Sequence, residues 1–189
     1  MIVIRKNGAV YFCESAYNSH YLSTMDDFTK YAENRHTIKN SALPHRLIMV
    51  DAPARVADLL RYSDIFPARL TPQNLLKRTY PELLSILEPY GFLNDDGTYD
   101  FDFAFAKDDK CYMLRGGGMI DEVEEFYPMC FAKDAAIAEY IKSKDEPIYR
   151  LVQRIYKSIE RGSMKIQFPV VVMNTKNDEV RVITREEEI

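Results

Sequence analysis

Cysteine and histidine are the side chains from which a nucleophilic or metal site could most readily be built, and here their spacing favours neither. Cys13, Cys111 and Cys130 form an odd set without a CxxC pair, which argues for reduced thiols rather than a disulfide framework. His20, His36 and His45 lie far apart, with no HxxxH and no His–Cys pairing at ligand spacing, so no metal site is expected. Cys13 and His36 could form a thiol–imidazole pair if their strands are neighbours in one sheet, but a cysteine in an apolar strand is more commonly an inert core residue. Asp95, Asp96, Asp100 and Asp102 offer oxygen ligands for Ca²⁺ without the loop spacing or closing glutamate of a dedicated site. They read instead as a solvated turn and an outer strand face. Gly116-Gly117-Gly118 could cradle a phosphate, yet no lysine with serine or threonine follows and the neighbours read as strands. A turn or bulge is the plainer assignment.

The elements that must position these residues begin with a hairpin. Ile2 to Lys6 and Ala9 to Glu14 are short runs rich in β-branched and aromatic residues, joined through Asn7-Gly8, a strong hairpin signal. Ser15 to Tyr31 is polar without a clean period, and His36 to Lys39 reads as a short strand. Arg46 to Val50 reads as a buried strand leading into a helix over Ala52 to Tyr62, with Val56, Leu59 and Leu60 on one face. Thr71 is a good N-cap and Pro72 a good first helical residue; Leu75, Leu76, Leu83, Leu84 and Leu87 give the apolar stripe, and Gly91 closes the helix. Pro81 should kink or split it.

After the turn Asn94 to Gly97, Tyr99 to Ala106 alternates, with Phe101, Phe103 and Phe105 to one side and Asp100 and Asp102 to the other, as in a half-buried strand. Cys111 to Arg115 and Met119 to Glu124 complete an antiparallel meander. Helices are expected over Lys133 to Lys144 and Pro147 to Arg161, the latter with Ile148, Leu151, Val152, Ile155 and Ile159 on one buried face. Strands over Gln167 to Met173 and Glu179 to Ile183 close the chain.

The 189 residues, 47% apolar and 12% aromatic, are enough for one packed core, and without repeats or linkers we draw a single domain over 1–189. Lysine and arginine number 25 against 29 aspartate and glutamate, a balance with no basic stripe, so neither nucleic acid nor an anionic membrane is an expected partner. No apolar run approaches the roughly twenty residues of a membrane-spanning helix, and the N-terminus lacks the pattern of a secretory signal. A cytoplasmic protein without a cofactor is the expectation.

Strands, two helices, strands, two helices, strands is an order that resembles the proteasome family, the N-terminal nucleophile hydrolases, and within it the bacterial heat-shock proteasome-like peptidase subunit. IVIRKNGAVYF looks like that family's first hairpin and FDFAFAKDDKCYMLRGGGMIDEV like its central meander. DAAIAEYIKSKDEPIYRLVQRIYKSIERG with FPVVVMNTKNDEVRVI looks like its last two helices and closing strands. The resemblance implies an α+β fold: a four-layer α/β/β/α sandwich of two stacked antiparallel sheets with helix pairs outside.

It also implies a site. The family's nucleophile is the threonine that begins the mature chain, whose own amino group serves as base; Met1 and Ile2 supply neither hydroxyl nor thiol. The family's acid after the second strand falls near Ser15, which is uncharged. Its lysine near the third strand falls near Arg35 or Lys39, and an arginine could keep only the electrostatic part of that role. The glycine turn that gives the oxyanion donor is replaced by Val50-Asp51-Ala52-Pro53, and the turn before the third helix by Met129-Cys130-Phe131-Ala132.

The relic site region is therefore Met1, Ile2, Ser15, Arg35, Lys39, Asp51, Ala52 and Cys130, with no catalytic residue assigned. The expected role is a catalytically inactive proteasome-like subunit that forms a homo-oligomer or binds a protein or peptide. The 13 tyrosines and eight methionines, types enriched in interface cores, fit that role. The alternatives are a threonine-type peptidase or amidase whose nucleophile lies upstream of the sequence given, and a small-molecule or peptide binding module.

Overall fold

The computed structural model describes residues 2–15, 37–39, 46–51, 54–61, 63–129, 133–161, 170–177 and 180–183. Most of the polar stretch 15–31 lies outside them. The strands are β1 Ile2–Lys6, β2 Val10–Ser15, β3 Thr37–Lys39, β4 Arg46–Asp51, β5 Asp102–Lys107, β6 Lys110–Arg115, β7 Ile120–Glu122, β8 Phe126–Met129, β9 Val170–Asn174 and β10 Val180–Ile183. The helices are α1 Ala54–Arg61, α2 Pro72–Asn74, α3 Tyr80–Leu87, α4 Lys133–Ser143 and α5 Ile148–Arg161.

Among the described residues the strands form two five-stranded sheets, in the orders β10-β9-β2-β1-β8 (sheet A) and β3-β4-β5-β6-β7 (sheet B). Each strand pairing is antiparallel. The opening hairpin closes through three residues, since Lys6 pairs with Val10. Gly8 takes φ +66 in that loop, a left-handed conformation that glycine adopts without a Cβ penalty.

Alternation along the strands sorts side chains into separate apolar clusters. Ile4, Val10, Phe12, Val171 and Met173 of sheet A meet Ala104, Ala106, Cys111 and Met113 of sheet B in one cluster. Ile48, Phe103, Phe105, Tyr112 and Leu114, on the other face of sheet B, pack with Val56 and Leu60 of α1 and with Leu75, Leu83 and Leu87. Cys13 and Val172, on the other face of sheet A, pack with Ala136 of α4 and Leu151, Val152 and Ile155 of α5.

β5 departs from the half-buried reading. Phe103 and Phe105 face the helices as expected, but Ala104 and Ala106 on the opposite face are fully buried between the sheets. Two alanines carry little apolar signal, while Asp100 and Asp102, the second of them the first residue of β5, suggest a polar face that does not continue into the strand. β8 was not expected at all. Phe126–Met129 leaves sheet B after β7 and joins sheet A beside β1, and Pro128 hides it because proline reads as a strand breaker. Proline is tolerated there because β8 is an edge strand.

The split at Pro81 takes a definite form. Leu75–Thr79 is a π turn between α2 and α3, in which the Tyr80 N–H reaches back to the Leu75 carbonyl. Pro81, the next residue, has no N–H to offer, and the wider turn relieves the clash its ring would make with the preceding turn. The Thr71 hydroxyl caps α2 by accepting from the Asn74 N–H, and Gly91 ends the helical stretch at φ +69, both as the sequence indicates.

Candidate functional site

The two sheets have a closed end and an opposite end. At the closed end the β1–β2 loop, the β5–β6 turn and the turn after β9 converge: Gly8, Ala9, Asp108, Asp109, Thr175 and Lys176 line one cavity of ≈ 420 Å³. β1 and β5 both run toward this end, so Ile2 and Asp102, which begin them, lie at the other. Ile2 is the register partner of Glu14 and of Met129, Ser15 of Val170, and Asp51 of Asp102. Topology thus gathers Ile2, Ser15 and Asp51 at one end of the paired sheets.

Lys39 is placed differently. It pairs with Leu47, which pairs with Ala106, so it stands toward the closed end. Met1, Arg35, Ala52 and Cys130 lie outside the described residues. Glu14, which the sequence reading did not single out, is the register partner of Ile2. Only the hairpin register reveals it, because a three-residue loop rather than a two-residue one sets which residue opposes which.

Beside β1, polar and charged side chains of β6, β8 and α4 come together. Tyr127 of β8 pairs in register with Ile4 and packs against the cluster between the sheets. Arg115 of β6 donates from Nη2 to the Tyr127 hydroxyl at 2.7 Å and meets Asp121 at 3.0 Å. Lys133 brings its ammonium to 5.8 Å from the Tyr127 ring centroid, within cation–π range. Arg115 Nε is buried without a partner. Two cations on one phenol can hold a carboxylate or polarise a carbonyl, but the group contains no nucleophile. Sequence spacing could not show it, since it joins residues from both sheets and a helix.

The two described thiols are poor nucleophiles. Cys13 and Cys111 are fully buried, and desolvation drives both well above the ordinary thiol range, so they stay protonated. The strand neighbours that a Cys13–His36 pair would need are not found, since β2 belongs to sheet A and β3 to sheet B; His36 itself lies outside the described residues. Cys13 packs on the side of sheet A that faces α4 and α5.

Among the described residues no three histidine, cysteine or acidic side chains gather as a metal site. Two of the four aspartates are spent locally. Asp96 accepts from the Thr98 hydroxyl and N–H, which holds its carboxyl below the usual range, and Asp100 accepts from Asn94. Gly116–Gly118 is a tight turn between β6 and β7 with Gly117 and Gly118 at positive φ. Among the described residues, no helix is long and apolar enough to cross a membrane.

Two antiparallel sheets in contact through one apolar cluster, with helices on their other faces, define an α+β architecture that solved structures of proteasome-like proteins share. BPH from Thiobacillus denitrificans in complex with epoxomicin matches 97% of this chain over 99% of its own, with a TM-score of 0.66 at 12% identity. Anbu, described as an ancestral beta-subunit, from Yersinia bercovieri matches 97% over 87% with a TM-score of 0.57 at 12% identity. Anbu from Pseudomonas aeruginosa, solved as a helical assembly, matches 97% over 86% with a TM-score of 0.60 at 10% identity. No protein-family profile and no curated protein sequence matches the chain. At such identities the likeness shows the fold and leaves the chemistry to the chain's own residues.

Proposed function

We propose that this chain is a proteasome-like subunit that has lost peptide hydrolysis and acts as an oligomer-forming or protein-binding part, in the four-layer order helices, sheet A, sheet B, helices. The observation that carries the reading is the composition of β1 on this fold. Ile2–Lys6 reads Ile-Val-Ile-Arg-Lys, without a hydroxyl or thiol, and the thiols described elsewhere are buried and protonated. Asp51-Ala52 and Cys130 in place of the family's turns, and Ser15 in place of its acid, support the same conclusion, as does Lys39, which register puts at the other end of the sheets from Ile2.

Self-association is part of the proposal. Ile137 and Ile141 of α4 are 40% and 68% exposed and, four residues apart, share one helix face. The fold neighbour from Pseudomonas aeruginosa forms a helical assembly. A cytoplasmic setting, with a protein or peptide rather than nucleic acid or membrane as partner, completes the reading.

Epoxomicin, which BPH binds, tests the catalytic half. Intact-mass spectra of the protein incubated with it should show an unmodified chain; a stoichiometric adduct overturns the loss of catalysis and favours the peptidase reading. Light scattering tests the other half. An oligomer that dissociates in the Ile137→Glu, Ile141→Glu double variant is expected, and a monomeric parent protein sinks the assembly role.

A further inference from the structure

Arg46, Lys107 and Lys110 stand side by side across three adjacent strands of sheet B. Arg46 is the register partner of Lys107, and Lys107 of Lys110. Ile48, Phe105 and Tyr112, each two positions along its strand, all belong to the cluster beneath the helices. The pleat therefore puts the three cations on that same face.

Like charges directly opposite one another destabilise a sheet, and no described negative charge offsets this row. Among the described residues no carboxylate forms an ion pair with any of the three. Arg46 is 8% exposed; its Nε and Nη1 have no hydrogen-bond partner, and its guanidinium rests 5.2 Å from the Phe66 ring centroid. The aromatic face compensates a buried guanidinium only in part. Asp108 and Asp109, between the two lysines, line the cavity shared with Gly8, Ala9, Thr175 and Lys176 of sheet A. Asp64, near Phe66 in the chain, is exposed and makes no ion pair with the row.

We propose that this row is a binding site for an oligophosphate chain. Three cations over two inter-strand spacings, about 10 Å, carry more charge than one carboxylate neutralises. A linear phosphate chain presents oxyanions at intervals along such a length, suited to the two ammonium point charges, with the buried Arg46 guanidinium adding its unneutralised charge from behind them. Phe66 is 3% exposed, so it has no open face on which a base could stack. The phosphate chain is what the row recognises, and a nucleoside attached to it adds nothing. This site is independent of the reading of β1.

Calorimetric titration at fixed ionic strength tests it. Inorganic triphosphate and ATP should bind the parent protein with similar affinity. The Lys107→Gln, Lys110→Gln double variant should bind at least tenfold more weakly, while its melting temperature without anion is unchanged or higher because like-charge repulsion is relieved. Arg46→Met, similar in volume, should lose binding in the same way. Absence of saturable binding, equal binding by the parent and both variants, or binding of ATP without triphosphate overturns the proposal. So does a short single-stranded RNA that binds the row in preference to triphosphate, which would assign it to nucleic acid.

Discussion

The hydroxyl of Thr175 donates to the backbone carbonyl of Asp108, joining the turn after β9 in sheet A to the β5–β6 turn in sheet B. The same oxygen accepts from the Val10 N–H at 3.0 Å, and the Thr175 N–H reaches the Val10 carbonyl at 3.0 Å. One buried hydroxyl thus ties both sheets at their closed end. Thr175→Val keeps the shape but leaves a buried N–H and a carbonyl without this partner, which should cost about 1–3 kcal/mol. Thr175→Ser, which keeps the hydroxyl, should lose less. Urea unfolding midpoints of the two variants check this, and a midpoint for Thr175→Ser at or below that of Thr175→Val would mean that the methyl group matters at least as much as the hydrogen bonds.

Arg5 makes a second long-range tie. It is 3% exposed, and its Nη1 and Nη2 donate to the carbonyls of Glu146 and Lys144 at 2.6 Å each, so β1 holds the turn between α4 and α5. Two charge-assisted bonds and the burial around them set the expected loss for Arg5→Met at about 3 kcal/mol. Hydrogen exchange should report that loss locally, as faster exchange over 143–149 than over β5 and β6. Uniform acceleration through both regions would argue against a local tie.

Gly116 is required by a neighbour. A Cβ there would lie 1.9 Å from the Tyr99 carbonyl oxygen, an atom of the backbone that cannot swing aside. Gly97, at φ +77, has open space around it, so alanine there meets only conformational strain of about 1 kcal/mol. Gly116→Ala should therefore lower the melting temperature well beyond Gly97→Ala. Equal shifts in the two variants would mean that the chain between Tyr99 and β6 yields easily.

Most of the fold was legible because its signals are local. The hairpin at Asn7-Gly8, the cap at Thr71, the break at Pro81 and the face of α5 each follow from residues within a few positions of one another. β8 was not legible, because its edge position, which excuses Pro128, is a property of the sheet rather than of the segment. The charged groups were hidden for the same reason: Arg115, Tyr127 and Lys133 meet across elements, as do Arg46, Lys107 and Lys110 across strands. The fold resemblance points to the end where Ile2, Ser15 and Asp51 stand, but register alone brings Glu14 opposite Ile2 and moves Lys39 away.

The buried thiols make stability depend on alkaline pH. Burial raises Cys13 and Cys111 above the ordinary thiol range, so the folded chain keeps both protons in a range where the unfolded chain releases them. Stability is then fully present below about pH 8 and falls as pH climbs past the unfolded thiol range, because the unfolded state binds fewer protons. Each thiol contributes a slope of about 1.4 kcal/mol per pH unit there. The Cys13→Ala, Cys111→Ala double variant should be less stable at neutral pH through lost packing, yet show a shallower decline between about pH 9 and pH 11. Unfolding midpoints across that range measure the difference. A parallel decline in parent and variant would show that other groups, such as tyrosines, set the alkaline limit, and rapid alkylation of both thiols in the native protein would contradict their burial directly.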